Sequence, residues 1–257
     1  MPNIHIRSFI CRSDNFGVIL HDSESGATAA IDAPEFEAVE NQLKKYGQQL
    51  THIFTTHHHA DHVEGNLKLK ELYGCKIIGP KGEADKIPGI DGTVAGGDSF
   101  IWAGRKIDVL DCPGHTLGHI AFHMPEEHAV FAGDTLFSVG CGRVIEGSME
   151  QMHNSVTQFR KLPSTTALYC GHEYTVANCN FALTVDPENS YLEARLKEAE
   201  QLVKSGRLTC PVSLGEEFRT NPYLRLDNAA IRKTLGMDGA SDLDVFTEIR
   251  TRKNNFK

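Results

Sequence analysis

A chain of 257 residues with 40% apolar residues can bury a full core, as one large domain or as a domain with a smaller appendage. Its 34 acidic against 26 basic side chains leave a net charge of −8, which repels nucleic acid and anionic membrane surfaces and argues against both as partners.

The opening "MPNIHIRSFICRSDN" lacks the uninterrupted apolar run of a signal peptide, and no later segment approaches a membrane-spanning run. Short β-rich runs then alternate with turns: "FGVIL", "TAAIDA", "THIFTT", "KIIGP", "KIDVLDCP", "HIAFHM", "HAVFAGD" and "ALYCGH". Helical periodicity lies between some of them, at Phe36 to Tyr46, Gly65 to Tyr73 and Met149 to Leu162. Near residue 172 the texture changes. The strands are expected to stop there, and the helical patterns "TVANCNFALTV", "SYLEARLKEAEQLVKSG" and "DLDVFTEIRTRKNNF" take over. Asn189 or Ser190 can cap the second of these, and Gly206 marks its stop. The reading is a β-rich body over residues 1–172 and a helical domain over 173–257. Seven scattered cysteines without a CxxC pair argue against a disulfide framework and point to a reducing compartment, so a soluble cytoplasmic protein is expected. No unexplained apolar stripe is evident, which favours a monomer.

The stretch "FTTHHHADHVEGN" places His57, His58, His59, Asp61 and His62 on a loop at a strand's C-terminal end, where α/β folds concentrate chemistry. In an extended loop residues two apart project to one side, so His57 and His59 can grip one ion while Asp61 and His62 turn toward a second. His58 should point away. Three further strand-end residues follow: His115 in "VLDCPGHTLGH", Asp134 in "AVFAGDTLF" and His172 in "ALYCGHEYT". A lone residue of this kind is more often a satisfied hydrogen-bonding group than a ligand. Three of them joined to H-x-H-x-D-H make a metal centre the better reading. Asp134 is the natural bridge, since each of its two oxygens can serve one ion. Imidazole and carboxylate donors suit zinc, with iron and manganese also admissible. His119 is left as a residue supporting the ligands or the structure.

These segments resemble the metallo-β-lactamase superfamily. The resemblance implies an α+β architecture, an αββα sandwich, with His57, His59 and His115 on a first metal, Asp61, His62 and His172 on a second, and Asp134 bridging. The segments "GCGRVIEG", "CGHEYTVANCNFALTVDPEN", "EEFRTNPYLR" and "RTRKNNFK" extend the likeness to the glyoxalase II (hydroxyacylglutathione hydrolase) family. There the C-terminal helical domain cradles glutathione, which assigns Arg143, Tyr174, Arg250 and Lys253 to substrate binding. Arg250 and Lys253, three apart on a terminal helix, would face one side and meet the tripeptide's carboxylates. The implied activity is hydrolysis of S-(2-hydroxyacyl)glutathione thioesters, S-D-lactoylglutathione to D-lactate and glutathione, the second step of methylglyoxal detoxification. A hydroxide held by two divalent metals attacks, oriented by Asp61 or Asp134 as catalytic residues. Arg143, Val144 and Ile145 stand where relatives commonly have a lysine and two aromatics, and an arginine still binds a carboxylate. The alternative is a mononuclear-iron glutathione persulfide dioxygenase, which shares the H-x-H-A-D-H segment. A degenerate metallo-fold used as a binding module, and a β-lactamase, are weaker readings.

Overall fold

The computed structural model describes residues 4–256 and divides into two compact units. One runs up to Asp111 and takes in Thr116–Gly133; the other comprises Cys112–His115 and everything from Asp134 onward.

In the first unit, strands β1 (Ile4–Cys11), β2 (Asn15–Asp22) and β3 (Thr28–Ile31) form an antiparallel run. Helix α1 (Phe36–Lys45) leads to β4 (His52–Phe54). The short α2 (Ala60–Val63) and α3 (Asn66–Tyr73) lead to β5 (Lys76–Pro80), and β6 (Gly92–Val94) closes the sheet. The order is β1-β2-β3-β4-β5-β6, parallel from β3 onward, because each helical crossover returns the chain in the same direction. Strands β7 (Ser99–Trp102), β8 (Arg105–Asp111), β9 (Ile120–Met124) and β10 (Ala129–Gly133) follow as an antiparallel meander.

Adjacent residues of β4 show how the layers arise. Successive strand side chains point to opposite faces. Ile53 joins Val39 and Leu43 of α1 and Leu69 of α3 in one apolar cluster. Phe54 turns the other way and meets the rings of Phe100, Trp102 and Phe122 at 5.4, 5.9 and 5.7 Å. Helix, sheet and sheet are therefore stacked in this unit, three layers of the implied sandwich.

The second unit contains the hairpin β11 (Leu136–Phe137) and β12 (Gly140–Cys141), then α4 (Met149–Thr157), β13 (Ala167–Cys170), α5 (Thr175–Val185) and α6 (Ser190–Lys204). It continues through β14 (Val212–Ser213), α7 (Leu214–Thr220), α8 (Ala229–Leu235) and α9 (Asp242–Asn255). The expected capping holds: the Asn189 carboxamide accepts from Tyr191 and Leu192, and Gly206 takes a left-handed φ of 68° past the helix end. Strands do not end at residue 172, however. β14 pairs with β13 through Leu168 and Val212, a ladder of two residues that is too short to leave a periodicity in the sequence. In the compact units the segment from Asp134 to His172 groups with the C-terminal helices.

Candidate metal and thioester site

Each unit carries one cluster of candidate ligands. In the first, β4 delivers the chain to His57, and the segment does not stay extended: Ala60–Val63 form a helical turn that carries Asp61 and His62. The ring of His57 lies 4.8 Å from that of His59 and 4.1 Å from that of His62. His57 and His62 are buried, while His59 and Asp61 are partly exposed.

A carboxylate absent from the sequence reading organises this cluster. Asp32, at the end of β3, adopts a left-handed φ of 57°, which aspartate tolerates better than most residues. Its Oδ1 accepts from the Thr56 amide at 2.7 Å; its Oδ2 accepts from the Thr56 hydroxyl at 2.9 Å and from His62 Nδ1 at 2.8 Å. Since the Thr56 hydroxyl donates to Asp32, it accepts from His57 Nδ1 at 3.0 Å. One buried carboxylate thus fixes two imidazoles with their Nδ1 atoms engaged, presenting Nε2 as the ligand atom in both. Asn15 Nδ2 donates to the Asp61 carbonyl at 3.1 Å and to Asp61 Oδ2 at 3.2 Å, aiming that carboxylate. His58 does point elsewhere: its Nδ1 meets Glu83 Oε2 at 2.7 Å, and its amide donates to the same oxygen at 2.8 Å. His119 stacks on His57 at 4.6 Å. Gly133 is required beside them, since a Cβ there would lie 2.6 Å from Thr56 Oγ1 and 2.8 Å from His119 Nε2.

The second unit brings together His115, Asp134 and His172, all buried. Asp134 Oδ2 lies 3.4 Å from His115 Nε2 and 3.4 Å from His172 Nε2. A carboxylate–imidazolium hydrogen bond closes to about 2.7–2.9 Å. Two donors on one tetrahedral ion at about 2.0–2.1 Å stand roughly 3.4 Å apart. The donor set fits a divalent metal, with Asp134 Oδ2 facing both imidazoles. His115 Nδ1 is held by the Arg143 carbonyl at 2.8 Å, so Arg143 serves the cluster through its backbone while its side chain is exposed.

The other predicted residues, Tyr174, Arg250 and Lys253, belong to the same unit. The Tyr174 ring stacks parallel on His172 at 4.9 Å, and Phe137 meets both rings edge-on, at 5.4 Å from Tyr174 and 6.1 Å from His172. Arg250 and Lys253 lie on α9 as expected, but Arg250 is no solvated helix end. It is 6% exposed, and its Nη1 donates to the Cys141 carbonyl at 2.8 Å. Lys253 is half-buried, donates to the Ala177 carbonyl at 2.9 Å, and lies over the Phe181 and Phe256 rings. Burial, reinforced by the charge of Arg250, pushes its ammonium down to about 8.

The comparisons with known proteins agree with this chemistry. The family described as "Metallo-beta-lactamase superfamily" matches residues 17–172, and "Hydroxyacylglutathione hydrolase C-terminus" matches residues 173–256. A "Hydroxyacylglutathione hydrolase" of Rhizobium meliloti is 54% identical over the full length of both chains. One of Brucella anthropi is 52% identical over 99% of this chain and 98% of its own. The crystal structure of ETHE1 from Myxococcus xanthus superposes with a TM-score of 0.69 at 25% identity, covering 97% of this chain and 91% of that one. Residues matched from 17 to 256 and full-length relatives above half identity place the conclusion beyond the fold alone: the chain belongs to the hydroxyacylglutathione hydrolase family of the metallo-β-lactamase superfamily.

Proposed function

We propose that this chain hydrolyses S-(2-hydroxyacyl)glutathione thioesters, converting S-D-lactoylglutathione to D-lactate and glutathione as the second step of methylglyoxal detoxification. The observation that carries the reading is the pair of 3.4 Å separations from Asp134 Oδ2 to His115 Nε2 and His172 Nε2, the spacing of two donors on one tetrahedral ion. His57, His59, Asp61, His62, His115, Asp134 and His172 are the residues that would hold two divalent cations, zinc first among them. When bound, such cations lower the pKa of a coordinated water toward neutrality and polarise the thioester carbonyl.

The chain's own residues do the rest. Asp61, aimed by Asn15, and Asp134 orient the attacking water and accept its hydrogen bond. Arg143, Tyr174, Arg250 and Lys253 receive the glutathione part, the cations meeting its carboxylates. The leaving thiolate has a conjugate acid near pKa about 8.5 and departs without a strong general acid. Seven free, buried cysteines support a reducing, cytoplasmic setting, and a monomer supplies the whole ligand set.

The test is release of free thiol from S-D-lactoylglutathione by purified protein with its metals quantified. Turnover with two metals per chain is expected. No turnover with full metal, or oxygen uptake with glutathione persulfide, overturns the hydrolase reading.

A further inference from the structure

The turn of the β11–β12 hairpin is held by side chains from α5, α6 and the α7 end. Val139, its second residue, has a φ of 57°, a left-handed value that two-residue turns normally give to glycine or asparagine and that a β-branched side chain resists. Its amide donates to Glu217 Oε2 at 2.8 Å, and the Ser138 hydroxyl donates to Glu217 Oε1 at 3.1 Å. Asn221 Nδ2 reaches both arms of the hairpin, donating to the Phe137 carbonyl at 3.2 Å and the Gly140 carbonyl at 3.0 Å. It also donates to Glu217 Oε2 at 2.9 Å, tying the clamp to itself. Arg195 donates to Ser138 Oγ at 3.2 Å, and Asn178 to the Ser138 carbonyl at 3.1 Å. Glu217 and Asn221 are both fully buried.

What this turn connects gives it a role. It lies midway between Asp134 and Arg143. Below it, the arms are locked, since the Gly142 amide donates to the Thr135 carbonyl at 3.1 Å and a Cβ on Gly142 would lie 1.8 Å from the Asp134 carbonyl oxygen. Asp134 carries the shared oxygen of the cluster, and the Arg143 carbonyl orients His115. Phe137 packs on His172 and Tyr174, and the Cys141 carbonyl receives Arg250. Relaxation of Val139 toward an ordinary φ would redirect both arms, and with them Asp134 and the carbonyl behind His115.

We infer that Glu217 and Asn221 are positioning residues: by holding Val139 in its left-handed conformation, they set the hairpin that fixes Asp134 against His115 and His172. This rests on reading those three residues as metal ligands. It makes the C-terminal helices part of the metal centre's support in addition to their part in the substrate cradle.

The experiment compares zinc release to a chromogenic chelator from the full-length, zinc-loaded wild type, Glu217→Ala, Glu217→Gln and the double variant Glu217→Ala/Val139→Gly. Glu217→Ala is expected to release zinc about tenfold faster or more. Glu217→Gln stays near wild type, because its amide oxygen still accepts from Val139 and its NH₂ can donate to Ser138 Oγ. Adding Val139→Gly to Glu217→Ala recovers most of the loss, since glycine adopts the left-handed region without strain. A purely structural role lowers the melting temperature but leaves release unchanged and gives glycine nothing to rescue. Folded Glu217→Ala with wild-type release, or no rescue by Val139→Gly, overturns the inference. If Glu217→Ala does not fold, Asn221→Ser with and without Val139→Gly is read by the same criteria. Zinc release needs no substrate, so failure of S-D-lactoylglutathione turnover overturns the proposed activity and not this result.

Discussion

His62 Nδ1 lies 2.8 Å from Asp32 Oδ2, and both groups are buried. An ionised carboxylate can only accept, so this contact holds His62 in the tautomer whose Nε2 lone pair is available for a metal. Asp32→Asn keeps the shape and the Thr56 amide bond but turns an NH₂ toward His62 Nδ1. The imidazole must then move its proton to Nε2. Metal affinity is expected to fall about 10–100-fold, with only a modest loss of melting temperature. Competition with a chelator of known affinity measures it; unchanged affinity would show that Asp32 does not set the tautomer.

Asp134→Ala removes the one oxygen that faces both His115 and His172. The expected outcome is loss of at least one metal per chain by elemental analysis, with hydrolysis reduced by about 10³-fold or more. Asp134→Asn retains an oxygen but not its charge and should lie between. A variant retaining two metals and substantial turnover would remove Asp134 from the centre.

The contrast between Asp32 and the H-x-H-x-D-H segment shows what a sequence exposes. His57, His59, Asp61 and His62 are near neighbours in the chain, so their common purpose is legible in their spacing. Asp32 meets His62 only because β3 pairs in parallel with β4, a contact made by the sheet and not by local order. Asp32 in "TAAIDA" stands just past an apolar strand as His115, Asp134 and His172 do, but no histidine adjoins it in the chain to mark it. Arg250 illustrates the converse. Its position on α9 follows from helical spacing, but its burial against the Cys141 carbonyl depends on packing with a hairpin more than a hundred residues earlier. Glu217 and Asn221 were visible only as part of a family-like segment, because nothing local marks a carboxylate as destined for the core.

That burial divides the two cations proposed to meet glutathione. Arg250→Ala leaves the Cys141 carbonyl without its donor and opens space in a packed region, so a stability loss on the order of 3 kcal/mol is expected along with a raised KM. Lys253→Ala, half-buried, should raise KM for the glutathione thioester with little change in melting temperature. Denaturation and steady-state kinetics on the two variants separate these effects. Equal melting temperatures for both would contradict the packing role of Arg250.

The depressed ammonium of Lys253 would give the proposed glutathione cradle a pH dependence. With its pKa lowered to about 8, the side chain is charged below that pH and loses its charge above it. A hydrogen bond to a charged group contributes about 1.5–3 kcal/mol, so KM should rise about tenfold or more between pH 7 and 9.5 while kcat changes little from this cause. Lys253→Arg stays charged throughout and should flatten the profile. A KM rise of the same size and midpoint in Lys253→Arg would assign the titration to another group.

Glu217 makes an opposite kind of prediction, on stability. Burial pushes its carboxyl from 4.5 up to about 7, although hydrogen bonds from Asn221, Val139 and Ser138 and the charge of Arg195 pull it back down. The folded state therefore binds a proton between pH 4.5 and 7 that the unfolded state has released. For a raised carboxylate the sign is unfavourable as pH rises: this group's contribution falls from pH 4.5 to 7 and is level above 7. At about 1.4 kcal/mol per pH unit, the full difference is on the order of 3 kcal/mol. Glu217→Gln cannot ionise and keeps the clamp on Val139, so it should match wild type in denaturant stability near pH 4.5 and exceed it increasingly toward pH 7. Parallel stability curves for the two proteins across that range would mean that Glu217 ionises normally in the fold, with Arg195 and the three hydrogen bonds outweighing its burial.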